Sequence, residues 1–75
     1  MTRIPPYESK EVIRKVIKAG YVLKRHGKGS HDIYYNSEIK RYVTIPNHQG
    51  QSIPIGTIRA IIRAMGLSNE EFIAL

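Results

Sequence analysis

The stretch GYVLKRHGKGSHDIYYNSEIKRYVTIP, residues 20–46, decides how this chain folds. Three runs rich in Tyr, Val, Ile and Thr, at 21–26, 31–35 and 41–46, are separated by Gly27-Lys28-Gly29 and by Asn36-Ser37-Glu38. That is the composition of strands punctuated by turns, and connections this short predict an antiparallel meander. In the third run Val43 and Ile45 alternate with Tyr42 and Thr44, which gives one buried and one wetter face. Tyr34 and Tyr35 must project to opposite faces, so one joins the core and the other is free for a different use, such as stacking on a base.

Outward from the strands, both flanks read as helical. Pro5 and Pro6 hold the start of the chain extended, Ser9 is placed to cap a helix over residues 10–19, and Gly20 ends it. Val12, Ile13, Val16 and Ile17 form its apolar stripe, with Arg14, Lys15 and Lys18 on the other side. Residues 47–56 read as a loop interrupted by Pro54 and two glycines. The run TIRAIIRAMG, 57–66, is a second helix with Ile58, Ile61, Ile62 and Met65 on one face, Arg59 and Arg63 on another, and Gly66 as its stop. Ser68 and Glu71 form a capping box for a last short helix carrying Phe72, Ile73 and Leu75. The economical arrangement is an α+β fold with a three-stranded antiparallel sheet and both main helices on one face, leaving the other face open to solvent.

Seventy-five residues make one small domain, 1–75, whose stability must come from packing. The absence of cysteine excludes disulfides and thiolate metal sites, and the three histidines match no familiar zinc spacing, so no metal or cofactor is expected. No secretory signal and no membrane-length apolar run is present, which makes the cytoplasm the expected compartment. Twelve Lys and Arg against six Asp and Glu give a net charge of +6. Ten of those twelve cations precede Tyr42, an imbalance that points to a polyanionic partner, nucleic acid first.

Within KRHGKGSHDIYY, residues 24–35, His31 is the candidate for chemistry. An imidazole both takes and gives a proton near neutral pH. Metal-free RNA cleavage needs that ability: a base removes the 2'-OH proton, an acid protonates the leaving 5' oxygen, and a cation steadies the phosphate. Lys24, Arg25, Lys28 and Arg41 are near enough in sequence to hold phosphates. Gly27 and Gly29 let the backbone approach a phosphate, with Ser30 donating to its oxygens. The plainer alternatives are a half-exposed strand histidine and an ordinary glycine hairpin turn. Strict alternation puts His31 on the side of Ile33 and Tyr35, so either it lies at a frayed strand edge or a bulge in the glycine turn re-aims it. His26 reads as a solvated hairpin residue, Asp32 as a solvent-facing strand acid or the orienter of a histidine, and His48 as a loop residue of unknown distance from His31.

Taken together, IKAGYVL (17–23), GKGSHDIYY (27–35), RYVTIPNH (41–48) and IPIGTIRAIIRAMGLSNEEFIAL (53–75) resemble the HicA, or YcfA-like, family of toxins from type II toxin-antitoxin systems. The resemblance implies a double-stranded RNA-binding-like α-β-β-β-α fold and ribosome-independent mRNA endoribonuclease activity leading to growth arrest. It also implies a catalytic histidine in a Gly-Ser-His motif, here Gly29-Ser30-His31, and a HicB-type antitoxin that masks the basic sheet and loop surface. The alternative is a non-catalytic RNA-binding module of the same fold.

Overall fold

The computed structural model describes residues 3–48 and 50–75; Met1, Thr2 and Gln49, the last within the expected loop, lie outside the described residues. The elements run α1 (Ser9–Lys18), β1 (Val22–His26), β2 (His31–Asn36), β3 (Arg41–Pro46), α2 (Ile55–Met65) and α3 (Asn69–Ile73). The order is the expected one, and the strands form a single antiparallel sheet in the order β1-β2-β3.

Side-chain parity on β2 organises the sheet. Asp32, Tyr34 and Asn36 are buried, whereas His31 is exposed and Ile33 and Tyr35 are half-buried. The core face is therefore the one carrying Tyr34, Val43 and Ile45, and Val12, Val16, Ile58, Ile61, Ile62, Met65 and Phe72 from the helices cover it. His31, Ile33 and Tyr35 belong to the open face. The expected conflict between His31 and the core does not arise, because the core takes the other member of the Tyr34-Tyr35 pair.

The bulge lies in β1 instead of the glycine turn. Leu23 pairs with Tyr34 and Arg25 with Ile33, so Lys24 is the extra residue. A one-residue shift flips every following side chain to the other face. Arg25 thereby joins the open face, while His26 turns to the side of its partner Asp32. Lys24 reaches the open face as well, its Nζ 5.9 Å from the centre of the Tyr35 ring. Charge and irregularity on this outer strand also discourage edge-to-edge pairing.

Both long helices close through the same pair of bonds. The amides of Gly20 and Tyr21 donate to Ile17 and Val16, and those of Gly66 and Leu67 donate to Arg63 and Ile62. Gly66, at φ 72°, adopts a left-handed conformation that a side chain disfavours, and an added Cβ would lie 2.9 Å from Arg41 Cζ. The N-termini depart from expectation. Glu8, not Ser9, is the N-cap of α1, its amide donating to the Glu11 carboxylate at 2.8 Å, and Ser9 sits inside the first turn, buried. Helix α2 begins at Ile55 behind Pro54, two residues before Thr57, because a proline preceding the first turn removes no helical hydrogen bond. The capping box of Ser68 and Glu71 on α3 is as read. Ile17 remains exposed, so the buried stripe of α1 narrows to Val12 and Val16 with Ile13 at its rim.

The segment before α1 belongs to the core. Tyr7 is buried edge-on against Phe72, 5.7 Å between ring centres, and its carbonyl accepts from Ile53 at 2.8 Å. Lys15 closes this corner: its Nζ donates to the main-chain oxygens of Ile73 and Leu75 and lies over the Tyr7 and Phe72 rings. That apolar seat, through desolvation first and Lys18 second, pulls the ammonium pKa below its ordinary value. The long side chain thus ties α1 to the end of α3 by packing as much as by charge.

Candidate functional site

His31 opens β2 directly behind a tight turn. The Gly27 amide donates to the His31 carbonyl at 2.6 Å, and a Cβ on Gly27 would meet that same oxygen at 3.1 Å. Gly29 has φ 63° and nothing within 4 Å of where a Cβ would stand, so its conformation, not crowding, calls for glycine. The Lys28 carbonyl accepts from the His31 amide at 3.4 Å and lies 3.3 Å from His31 Nδ1. A carbonyl only accepts, so this contact selects the Nδ1–H tautomer and leaves Nε2 as the free basic nitrogen of an exposed ring.

What holds this strand end lies behind it. Asp32 is 5% exposed, and its carboxylate takes His26 Nδ1 at 2.6 Å on one oxygen and Asn47 Nδ2 at 3.0 Å on the other. One buried acid therefore bonds to β1 on one side of β2 and to the residue that follows β3 on the other. It orients His26, not His31, and is neither solvent-facing nor free. The Tyr34 hydroxyl, on the same face, has its pKa raised by burial and by the Asp32 charge. Alternation from Tyr34 was the sequence signal for a buried Asp32; Asn47 carried none.

A second tie runs through Ser9. Its hydroxyl donates to the Pro46 carbonyl and accepts from the His48 amide at 3.2 Å, while the Asn47 amide donates to the Ser30 carbonyl. Pro46 is the register partner of His31. The start of α1, the end of β3 and the start of β2 are thus joined by the Ser9 hydroxyl and one main-chain bond, and His31 and His48 emerge from this junction. Both line one cleft of about 380 Å³, together with Ser9, Pro46, Ser52 and Thr57. A larger hollow of about 760 Å³ between residues 3–6 and α2 contains neither histidine.

The expected phosphate ligands divide. Lys28, Gly29 and Ser30 form the turn beside His31; Lys24 and Arg25 lie on the open face, lining a shallow hollow with Ile33, Tyr42 and Thr44. Arg41 is elsewhere. It pairs with Asn36 at the opposite end of the β2–β3 ladder from His31, roughly 16 Å away along the strand. There its Nη1 donates to the Ala64 carbonyl at 3.2 Å, complementing the C-terminus of α2. Among the described residues, no group of three His, Cys, Asp or Glu side chains gathers as a metal site, and no helix is long and apolar enough to cross a membrane.

Residues 9–67 match the family model described as the HicA toxin of bacterial toxin-antitoxin systems. No curated protein gives a significant match. The matched span begins at the buried Ser9 and includes the glycine turn, the sheet and both histidines of the cleft.

Asp32→Ala leaves the side-chain Nδ2 of Asn47 unpaired and frees the His26 ring. It is expected to lower stability by about 1–3 kcal/mol, read as a fall in the urea midpoint with an unchanged slope.

Proposed function

The chain belongs to the HicA toxin family of bacterial toxin-antitoxin systems, and we propose that it is a ribosome-independent, metal-independent endoribonuclease acting on mRNA in the cytoplasm, with His31 as its catalytic residue. The observation that carries this reading is an exposed His31 with a free Nε2, sharing a cleft with a second imidazole, His48, beside a cationic turn.

The reaction is a transesterification. A base removes the 2'-OH proton, that oxygen attacks the adjacent phosphorus, the bond from phosphorus to the 5' oxygen breaks, and an acid protonates the departing oxygen. One imidazole supplies one proton transfer, and a second in the same cleft supplies the other. Lys28 and the amides and hydroxyl of Gly29-Ser30 bind the phosphate at this end of the sheet, while Lys24 and Arg25 hold RNA further along it. Membership of the family brings an antitoxin partner. A HicB-type antitoxin would act by covering the open face, because an inhibitor gains from neutralising the charges that bind RNA.

His31→Ala is expected to reduce RNA cleavage at least about a hundredfold and to abolish growth arrest, with the melting temperature and RNA affinity nearly unchanged. Wild-type protein that binds RNA tightly and never cuts it would make the chain a non-catalytic RNA-binding module instead. His48→Gln is expected to lower kcat/KM for RNA cleavage by at least about tenfold with the melting temperature unchanged, and an unchanged kcat/KM would exclude His48 from proton transfer.

A further inference from the structure

The open sheet face carries an aromatic pair that the chemistry at His31 does not use. Tyr35 and Tyr42 are direct register partners, with ring centres 4.4 Å apart and planes tilted by 37°. Tyr35 is half-buried beneath its neighbour, whereas Tyr42 is 58% exposed. The plain role of such a pair is to stabilise the sheet across two strands. Its surroundings ask for more. The β1 bulge delivers two consecutive cations to the same side, Lys24 over the Tyr35 ring and Arg25 into the hollow that Tyr42 lines with Ile33 and Thr44. An exposed ring flanked by two cations complements a base and its phosphates, the combination used by platforms for single-stranded nucleic acid. The open face also continues to the catalytic residue, because His31, Ile33 and Tyr35 alternate along one strand, with about 13 Å between the first and last.

We propose that Tyr42, backed by Tyr35 and flanked by Lys24 and Arg25, is a nucleobase-stacking site that makes unpaired RNA, not an A-form duplex, the substrate of this fold. The inference rests on the reading that RNA is the substrate, and it adds to that reading which form of RNA is bound and where. Stacking requires an exposed base plane. A duplex keeps its bases stacked on one another and offers only phosphates and 2'-OH groups to a protein surface. A strand whose base rests on Tyr42 would run along the open face toward His31, and cleavage would depend on an unpaired nucleotide at a fixed distance from the scissile bond.

The test uses His31→Ala protein, which leaves RNA intact, and a short single-stranded RNA carrying 2-aminopurine, with the same sequence annealed to its complement as control. Tyr42→Thr, which removes the ring and retains a strand-forming residue, is expected to weaken single-strand binding roughly five- to hundredfold and to remove the 2-aminopurine quenching. Tyr42→Phe should preserve both, and duplex affinity should change little. Lys24→Ala and Arg25→Ala should each flatten the salt dependence of single-strand binding by about 0.7 in the log–log slope. Equal single-strand affinity with and without the Tyr42 ring, in variants of unchanged melting temperature, would overturn the proposal and leave this face to a protein partner. An equal loss for duplex and single strand would overturn it as well. Because the readout is binding, either failure is distinct from failure of the nuclease reading, which shows only as wild-type protein that does not cut.

Discussion

The two-residue period of β2 is the constraint on which the rest of the molecule depends. Tyr34 is 4% exposed beneath the helices, and Asp32, two residues earlier on the same face, is bonded to His26 of β1 and to Asn47 just after β3. Burial of one large apolar side chain stabilises by about 2 kcal/mol, and a buried carboxylate without partners costs more than that. Slipping the register by one residue would therefore forfeit Tyr34, strand the acid and drive an imidazole into the core. The parity that satisfies Tyr34 and Asp32 is also the parity that sends His31 outward.

A chain this small has few residues to devote to function alone, and several perform two tasks. Ser9 closes the first turn of α1 against the end of β3 and, through the same hydroxyl, fixes the His48 amide. The Lys28 carbonyl completes a tight turn and selects the tautomer of His31. The bulge at Lys24 disrupts an exposed edge and places two cations beside the tyrosine pair. The candidate surface is thus a consequence of how the sheet is pinned, since Asp32 holds the His26 ring and Ser9 holds the His48 amide.

Much of this was legible in the sequence because it rests on local rules. Alternation and turn residues fixed the three strands to within a residue, helical periodicity located Ile58, Ile61, Ile62 and Met65, and the Ser68 capping box is as read. The choice between Tyr34 and Tyr35 was not local. Both fit a strand, and only the helices packed above decide which is covered. The β1 bulge left no mark because Lys24, Arg25 and His26 are all polar, so a parity change among them alters no hydrophobic pattern. Ser9 obeys the rule for a capping residue, yet tertiary bonds to Pro46 and His48 claim its hydroxyl while Glu8 takes the cap. Arg41 is close to the site in sequence and distant from it in space, because β3 runs antiparallel to β2 and only its end meets His31.

Two imidazoles serving an attack by the 2' oxygen would leave a chemical record on the product ends. RNA incubated with purified wild-type protein in excess EDTA should still be cut, leaving a 2',3'-cyclic phosphate on one fragment and a 5'-hydroxyl on the other. Cleavage that stops on chelation would mean that a metal ion is required, and a 5'-phosphate end would mean that water and not the neighbouring hydroxyl is the nucleophile; either result would rule out the metal-free transesterification.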